Sequence, residues 1–442
     1  MLKQFLHICI VLLFVSCNSK VKKPNIVFII ADDLGWSQLS CYGSDFYESP
    51  NIDALSADGV RFTNAYAACP VCSPTRASIM TGKYPARLHI TDFIPGNTPD
   101  DSLLTTPDFQ KYLPLDEYTI AEMAKDAGYE TALFGKWHLS IAKTPPESLP
   151  YNPDKQGFDS TFVTYKPSGR LAKPWQTAEN DAHNVDTITN LSVQFMENNR
   201  DRPFFLVVSH NSIHDPLMEK QALIEKYLRK ENSSKPEDHA VIGAMIEILD
   251  NSVGTLLDKI NALGIQDHTV VIFYSDNGGK HSYAAQTPFR AGKGWLYEGG
   301  IRVPLIIRWP GNISAGKVDN HLVISNDFYP TFHSIFKLDK QTQNIDGVDI
   351  MKLIKNNTVV RNTLYWHYPH YHLGSGMKPA GAIRQGKFKL IEWYEGNFTD
   401  KPSYVELYNL DDDPGENVNL ADSLTEKTNE LHKLLNNWKI RT

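Results

Sequence analysis

Runs of consecutive apolar residues, rich in β-branched and aromatic side chains, recur along the larger N-terminal part of the chain. They span residues 26–30, 131–134, 204–209, 269–275 and 303–307, and continuous runs of this length predict buried strands. Between them, residues 118–127 and 241–263 carry apolar positions at helical spacing, and Gly128 and Gly264 follow as stop signals. Strands that alternate with helices predict an α/β fold whose mostly parallel central sheet is flanked by helices on both faces.

The pattern changes at about residue 359, where short strand-like segments follow one another. These segments are 364–367, 381–384, 387–393 and 406–409, and a helical pattern follows at 424–438. Consecutive short strands predict a small antiparallel sheet, here with one covering helix. We therefore assign residues 25–358 to a large domain and residues 359–442 to a C-terminal subdomain.

The N-terminal segment has the pattern of an export signal. A basic residue precedes an apolar run over residues 5–15, which is too short to span a bilayer. The segment that ends in Cys17 resembles a bacterial lipobox, in which Cys17 is lipidated after cleavage. Because Phe14 stands where Leu is usual, a simple cleaved signal is the alternative. We expect a signal peptide over residues 1–16 and a lipidated tether over residues 17–24.

Basic side chains follow the expected lipidation site, namely Lys20, Lys22 and Lys23. Segments that send lipoproteins to the bacterial surface are often acidic at this point. We therefore expect a periplasmic protein that is attached to the membrane through its lipid alone, rather than a surface-exposed one.

Composition and charge narrow the class of partner. With 41% hydrophobic and 21% charged residues, the 442-residue chain is ordinary for a globular protein. Its net charge of −7 gives no reason to expect nucleic acid as a partner, so an anionic substrate must meet a local cluster of basic side chains. Beyond the signal, Cys41, Cys69 and Cys72 leave an odd thiol, and a disulfide between Cys41 and Cys69 is left open.

Charged, imidazole and amide side chains follow four of the predicted strands. In chain order they are Asp32 and Asp33, Lys136 and His138, His210 and His214, and Asp276 and Asn277. In α/β sheets, ligands bind beyond the carboxyl ends of the strands. We therefore expect these side chains to share one site, in which His210 is the rival of His214.

A helix is predicted to begin next to Cys72. Ser73 suits an N-cap, Pro74 suits the first helical position, and Gly82 suits the end of the helix. Free N–H groups and the helix dipole favour an anion at such an N-terminus, and Arg76 would lie in the first turn. Cys72 is therefore expected beside a site for sulfate or phosphate oxygens.

Taken in order, the motifs resemble those of the type I, formylglycine-dependent sulfatases, in the arylsulfatase and N-acetylgalactosamine-sulfatase branch. The resemblance covers nearly the whole chain after residue 24, and Thr75, where Ser is commoner, departs from it. It rests on Asp32-Asp33, Cys72-Ser73-Pro74-Thr75-Arg76 with Thr81-Gly82, Gly135-Lys136-Trp137-His138-Leu139, Ser275-Asp276-Asn277-Gly278, Gly292-Lys293-Gly294 with Glu298-Gly299-Gly300, and Glu406-Leu407-Tyr408-Asn409-Leu410 with Asp413-Pro414-Gly415-Glu416.

The resemblance implies an alkaline-phosphatase-like large domain and a sulfuric ester hydrolase. A formylglycine-generating maturation enzyme would oxidise Cys72, and the hydrated aldehyde would attack sulfur with one oxygen and expel sulfate with the other. The remaining catalytic residues that the resemblance implies are Arg76 to orient the diol, Lys136 and Lys293 to hold sulfate oxygens, His138 to accept the proton of the second diol oxygen, and His214 to protonate the leaving alcohol.

The implied metal site consists of Asp32, Asp33, Asp276, Asn277 and the modified Cys72. Carboxylate and amide oxygens are hard ligands, which match calcium or magnesium rather than zinc. We favour calcium over magnesium because a flexible, carboxylate-rich set of ligands suits the larger ion.

The expected substrate is a sulfated oligosaccharide, with a galactose or N-acetylgalactosamine type of sugar favoured. Residues 90–114 and 140–175 lack a clear period and predict long loops that could wall the site into a pocket. A pocket, and a periplasmic position where imported oligosaccharides are trimmed, favour exo action. The aromatic and histidine run at 366–372 either packs the subdomain or lines the substrate mouth.

Two other functions compete with this interpretation. A phosphatase, phosphodiesterase or phosphonate hydrolase of the same superfamily mostly uses Thr or Ser as nucleophile and two zinc ions, whereas here Cys72 and Lys136 occupy the relevant positions. A non-catalytic glycan-binding lipoprotein on a sulfatase fold should have lost part of the charged site. Every expected position of that site is filled in this sequence.

Overall fold

The computed structural model describes residues 23–97, 99, 101–141, 150–165, 176–177, 181, 183–230, 238–338, 344–356, 361–398 and 404–442. The expected signal peptide, and the tether as far as residue 22 with its Cys17, lie outside the described residues, as does the domain boundary expected between residues 358 and 359. These assignments therefore stay predictions.

The strands belong to one large sheet, one smaller antiparallel sheet and two short two-stranded pairs. In chain order they are β1 (Asn25–Ala31), β2 (Val60–Phe62), β3 (Ala65–Tyr66), β4 (Glu130–Lys136), β5 (Ser160–Thr164), β6 (Gln176–Thr177), β7 (Phe204–Ser209), β8 (Met218–Glu219), β9 (Thr269–Ser275), β10 (Leu305–Arg308), β11 (Lys317–Asp319), β12 (Val323–Ile324), β13 (Thr363–Tyr368), β14 (Ala380–Gln385), β15 (Phe388–Trp393) and β16 (Tyr404–Asn409).

Helices cover both faces of the large sheet and one face of the smaller sheet. They are α1 (Pro50–Ala57), α2 (Cys72–Thr81), α3 (Pro85–Leu88), α4 (Ile120–Asp126), α5 (Val185–Asn198), α6 (Gln221–Lys230), α7 (Ala240–Ala262), α8 (Glu298–Ile301), α9 (Phe328–Ile335), α10 (Ile350–Asn356) and α11 (Thr425–Lys439).

The large sheet has eight strands in the order β11-β2-β10-β9-β1-β7-β4-β5. The pairings of β1, β4, β5, β7 and β9 with one another are parallel, and β10 runs antiparallel to β9 and β2. The predicted α/β fold is thus confirmed. The strand predicted at 303–307 exists as β10, but it reverses direction and makes the sheet mixed.

Strand β1 shows why both faces of the sheet are buried. Its residues alternate between two hydrophobic clusters, with Phe28 packed among α2, α4 and α9 and Ile29 packed among α1, α5 and α7. Because both faces are covered, the strand reads as a continuous apolar run rather than an alternating one. Helix α7 is long and apolar enough to cross a bilayer, yet 72% of its apolar window is buried in the fold.

Helix α4 begins two residues later than the sequence pattern suggested. Thr119 accepts a hydrogen bond from the backbone N–H of Glu122 at 3.2 Å, and the Glu122 carboxylate accepts one from the Thr119 N–H at 2.8 Å. This reciprocal capping box fixes the start of the helix at Ile120. Tyr118 therefore precedes the helix.

The C-terminal strands form an antiparallel sheet in the order β13-β14-β15-β16, as predicted. Helix α11 covers one face by packing Leu431 and Leu435 against Ile383, Leu390 and Leu407. The other face packs against the large domain, where Trp366 lies beside Tyr66.

A buried ion cluster joins the smaller sheet to helix α8. Lys389 of β15 is fully buried, and its ammonium lies 3.0 Å from the Glu298 carboxylate and 2.9 Å from the Glu416 carboxylate. The backbone N–H of Glu298 also donates to Glu416 at 2.6 Å. Two acidic residues from motifs that are 118 positions apart thus meet at one lysine.

We predict that Lys389→Ala lowers the free energy of unfolding by about 3–5 kcal/mol, because it removes the shared cation of two buried carboxylates and leaves Glu298 with the Arg302 cation at 3.3 Å. Urea denaturation of both proteins measures the difference. The control is Lys125→Ala, which removes the exposed ion pair with Asp159 and should cost at most about 1 kcal/mol. Equal losses in the two variants would contradict the structural role of Lys389.

Candidate active site

Neighbouring parallel strands deliver the predicted polar residues to one edge of the sheet. Strands β9, β1, β7 and β4 are adjacent and run in the same direction, so their carboxyl ends lie side by side. Asp32 and Asp33 follow β1, Asp276 and Asn277 follow β9, and Lys136 is the last residue of β4. All five residues are at most 7% exposed.

Helix α2 brings Cys72 to the same edge, but its start differs from the prediction. Val71 is the extended N-cap residue and Cys72 is the first helical residue, so neither Ser73 nor Pro74 has the predicted position. The Ser73 hydroxyl instead accepts the N–H of Ile94 at 3.0 Å. The Thr75 hydroxyl fastens the first turn, with the Cys69 carbonyl at 2.9 Å and the Val71 carbonyl at 3.2 Å as its acceptors.

The predicted end of α2 is confirmed, since Gly82 adopts a left-handed conformation with φ of 72°. Cys72 itself is only 2% exposed. Cys41, Cys69 and Cys72 are all free thiols, so the Cys41–Cys69 disulfide does not form.

Three buried carboxylates each contact a buried cation. Asp32 lies 2.6 Å from Lys136, Asp33 lies 2.6 Å from Lys293, and Asp276 lies 2.8 Å from Arg76. Burying an unpaired charge is costly, and pairing with hydrogen bonds offsets that cost. The six charged groups therefore form one mutually compensated cluster.

Arg76 is held on several sides. Besides its contact with Asp276, its guanidinium donates to the Lys136 carbonyl at 3.0 Å and to the Ser209 hydroxyl at 2.7 Å. The Ser209 hydroxyl in turn donates to the Lys136 carbonyl at 2.7 Å. Ser209 was not among the sequence predictions, although a polar residue at the end of a buried strand is a signal that could have indicated it.

The donor atoms fit a hard divalent cation. Asp32 Oδ1 and Asn277 Oδ1 are buried oxygens without a hydrogen-bond partner in the described part of the chain. Ligand atoms of Asp32, Cys72 and Asp276 lie within 4.8 Å of one another, as do those of Asp32, Asp33 and His214. An all-oxygen set of carboxylates and an amide matches calcium or magnesium.

The cluster changes the proton affinities of its members. Burial raises the pKa of Asp33, but the charges of Lys293, His214 and Lys136 outweigh burial and hold that pKa well below its usual range. Burial and the charge of Asp32 raise the pKa of Asp276. Asp33 is therefore the more firmly ionised of these two carboxylates.

The surroundings of Cys72 raise the pKa of its thiol, whereas an activated cysteine has a lowered pKa. Burial raises the pKa of Cys72, and the nearby ammonium groups of Lys136 and Lys293 only partly offset the increase. An unmodified Cys72 is therefore mostly a neutral thiol, which is a weak nucleophile.

The structure separates the two histidines of the loop after β7. His210 is completely buried and its Nε2 lies 3.0 Å from the Ser252 hydroxyl. His214 lines the cavity above the charged cluster, and its Nε2 lies 3.8 Å from Asp33 Oδ2. The hydrogen bond between His214 Nδ1 and the Asp215 carbonyl, 2.9 Å long, leaves Nε2 facing the site.

His138 approaches the cluster from the loop after β4, with φ of 59°. Its Nε2 lies 2.7 Å from the Ile94 carbonyl, and its Nδ1 is buried without a hydrogen-bond partner among the described residues. Burial, reinforced by the charge of Lys136, holds the pKa of His138 well below its usual range. The ring is therefore neutral and can accept a proton.

A cavity of about 720 Å³ opens above these groups. Its lining residues are Asp32, Cys72, Phe93, Ile94, Pro95, Asn97, Lys136, His138, Ser140, Ile141, Thr164, Tyr165, Asn211, His214, Asp215, Lys280, His281, Lys293, His372, Leu373, Gly374 and Ser375. Residues from both predicted loop ranges thus border the cavity. The second range is not loop throughout, since Ser160–Thr164 within it form strand β5, which pairs with β4. Arg76, Asp33, Asp276 and Asn277 are buried and do not belong to this lining.

The aromatic and histidine run of the C-terminal subdomain contributes little to the cavity wall. Trp366 and Tyr368 are buried and donate to the Ala67 carbonyl and to Asp92. Tyr371 donates to Glu395 at 2.8 Å. Within the run, His372 is the residue that lines the cavity, so packing explains most of this motif.

Two models of known protein families match most of the chain. The family model described as Sulfatase matches residues 24–338, and the model described as N-sulphoglucosamine sulphohydrolase, C-terminal, matches residues 290–441. A protein from Formosa agariphila named Sulfatase is 31% identical, with 95% of this chain and 89% of that protein covered. Arylsulfatase A of Homo sapiens is 30% identical, with coverage of 94% and 86%.

Two further similarities concern sugar-related proteins. N-acetylgalactosamine-6-sulfatase of Rattus norvegicus is 30% identical, with 92% of this chain and 78% of that protein covered. The crystal structure of Ps i-CgsB in complex with k-i-k-neocarrahexaose superposes with a TM-score of 0.77 at 27% identity, covering 95% of this chain and 93% of that one.

We predict one calcium ion per chain, measured by elemental analysis after dialysis. Asp276→Asn keeps the side-chain volume but removes a charged ligand, and should weaken calcium binding by roughly 100-fold or more. The control is Asp250→Asn, which changes another buried carboxylate that binds Asn51 and Ile52 instead. Stoichiometric zinc, or the same calcium affinity in Asp276→Asn as in the unchanged protein, would contradict this assignment.

Proposed function

We propose, since this chain belongs to the sulfatase family, that it removes sulfate from sugars at the cavity above Cys72. The chain is a sulfuric ester hydrolase, like the relatives named arylsulfatase and sulfatase. The observation that carries the proposed mechanism is the position of Cys72 at a helix N-terminus, in a cavity lined by Lys136 and Lys293. Two ammonium groups and free backbone N–H groups can together donate hydrogen bonds to the oxygens of a sulfate ester.

The proposed nucleophile is formylglycine made from Cys72 by a maturation enzyme. Its hydrated form supplies one oxygen to attack sulfur and a second to expel sulfate. The match to the sulfatase family and the position of Cys72 at the N-terminus of α2 support this conversion over thiolate chemistry. A hard divalent cation held by Asp32, Asp33, Asp276 and Asn277 would supply Lewis acidity at this position.

The protein's own residues would move the protons. His138 Nδ1, buried and without a hydrogen-bond partner among the described residues, would accept the proton of the second diol oxygen. His214 Nε2 would protonate the leaving sugar oxygen. Burial and Lys293 lower the pKa of His214 to about 3. A sulfate bound to Lys293 would weaken that cation's effect and so raise the pKa of His214 in the complex.

The proposed substrate is a terminal sulfated sugar of galactose or N-acetylgalactosamine type. The name of the rat relative, and the oligosaccharide in the complex of the similar structure, support a sugar of this kind. The cavity of about 720 Å³ has room for a sugar ring but is bordered by both predicted loops, which favours exo action. We further propose a periplasmic position with a lipid on Cys17, supported by the lipobox-like sequence that precedes it.

We predict that Cys72→Ala abolishes sulfate release, measured by ion chromatography with monosulfated galactosides as substrates. The change removes the precursor of the nucleophile and leaves a small residue that the helix tolerates. Cys41→Ala is the matched control, since this free thiol lies outside the cavity lining. Full sulfate release by Cys72→Ala would refute the mechanism, and faster cleavage of matched phosphate or phosphonate esters would refute the substrate class.

A second prediction concerns the leaving group. If His214 is the general acid, His214→Ala should slow sugar sulfates by about 10²–10⁴-fold, because an alkoxide leaves poorly without a proton. An aryl sulfate with an acidic phenol leaves readily without a proton, so His214→Ala should slow its cleavage much less. The kcat of both substrate types is the measurement. Equal losses would show that His214 does not act as the acid.

A further inference from the structure

We infer that Asp215 and Lys280 form a specificity-determining pair in this cavity, which binds two neighbouring hydroxyls of the sugar ring beside the sulfated position. The inference rests on the proposed function, because it concerns the substrate of the same site. Neither residue belongs to the charged cluster around Cys72, and neither was singled out by its sequence pattern. Their role follows from where the fold puts them.

The pair lies at the cavity with its charges in contact. The Lys280 ammonium is 2.5 Å from Asp215 Oδ2, and both residues belong to the cavity lining. Their side chains are 27% and 24% exposed. Because Asp215 Oδ1 is buried, the exposed part of the carboxylate is the side that carries Oδ2. The Lys280 ammonium also lies 4.7 Å from the centre of the Tyr283 ring, which helps to fix its position.

Asp215 of the pair is the direct neighbour of the proposed leaving-group acid. His214 precedes Asp215 directly, and its ring binds the Asp215 backbone carbonyl at 2.9 Å. The imidazole that faces the ester oxygen and the carboxylate that faces the cavity therefore come from adjacent residues. A sugar whose ester oxygen lies at His214 would present its adjoining ring positions to Asp215 and Lys280.

The chemistry of the pair suits hydroxyl groups. A carboxylate only accepts hydrogen bonds, an ammonium only donates them, and a hydroxyl does both. Two neighbouring hydroxyls can therefore donate to Asp215 and accept from Lys280 while the ion pair stays in place. A second sulfate or a carboxylate at that position would be repelled by Asp215.

Neutral polar groups in the lining of the same cavity support this choice. Asn211 and Thr164 also line the cavity, and the Asn211 amide donates to the Thr164 hydroxyl at 2.5 Å. Amide and hydroxyl groups can exchange hydrogen bonds with sugar hydroxyls but add no positive charge for a second anion. Together with the Asp215–Lys280 pair, these lining residues suit a hydroxylated, singly sulfated ring.

The test pairs enzyme variants with substrate variants. The substrates are the methyl galactoside 3-, 4- and 6-sulfates, the monodeoxy derivatives of the fastest one at the carbons nearest the ester, and 4-nitrophenyl sulfate. We expect Asp215→Asn and Lys280→Met each to lower kcat/KM for the parent sugar sulfate by about 10- to 100-fold. The loss for 4-nitrophenyl sulfate should be at least about tenfold smaller, because its ring carries no hydroxyls for the pair.

The deoxy substrates give the decisive comparison. With the unchanged enzyme, removing the hydroxyl that binds the pair should also cost about 10- to 100-fold, and Asp215→Asn should then add little further loss. Asp186→Asn is the matched control, since Asp186 forms an exposed pair with Lys220 outside the cavity lining. Thermal unfolding of each variant checks that the fold is intact.

Several results would overturn the inference. The pair does not bind the sugar hydroxyls if deoxy substrates are cleaved as fast as the parent. The same conclusion follows if the variants lose kcat/KM equally for sugar and aryl sulfates. Faster cleavage of a galactoside with a second sulfate beside the first would make Lys280 an anion site instead. If the unchanged enzyme with formylglycine at position 72 releases sulfate from none of these esters, the proposed function itself fails, which is a different outcome.

Discussion

Three carboxylates buried at the carboxyl edge of the sheet require neutralisation, and the active-site architecture depends on how this is achieved. Asp32, Asp33 and Asp276 each contact a buried cation within 2.8 Å. Parallel strands place the carboxylates side by side, while the cations arrive from β4, from α2 and from the loop before α8. Since an isolated buried charge is costly, the segments that supply the cations are bound to the sheet, and α2 carries Cys72 into the same cluster.

This dependence explains which parts of the site could be predicted from sequence. Strands β1, β7 and β9 are continuous apolar runs that end at polar residues, so both the strand and the site residue are visible locally. The start of α2 was misplaced because the Thr75 hydroxyl and the extended Val71 determine it, rather than a capping side chain at Ser73. Asp215 and Lys280 were missed because their pairing joins residues 65 positions apart, which no local pattern reveals.

In the fold, too, only elements with their own local sequence pattern could be predicted. The four strands and the helix of the C-terminal subdomain were predicted correctly, since each has its own local pattern, whereas β2, β3, β11 and β12 have only two or three residues and leave no period. The acidic residues at 298 and 416 belonged to recognisable motifs without a visible purpose. Both residues contact Lys389, and this contact gives them a structural role. The buried cluster fastens the smaller sheet beside α8 and the loop that carries Lys293.

The central claim is that sulfate esters are cleaved by formylglycine at position 72, held in the compensated cluster. The most direct test is to prepare the protein with graded amounts of maturation enzyme and to measure, in each preparation, the formylglycine fraction at position 72 by mass spectrometry and the rate of sulfate release from a monosulfated galactoside. The account predicts a rate proportional to the formylglycine fraction that reaches zero when position 72 is entirely cysteine. Sulfate release that persists without formylglycine, or that does not follow its fraction, would contradict it.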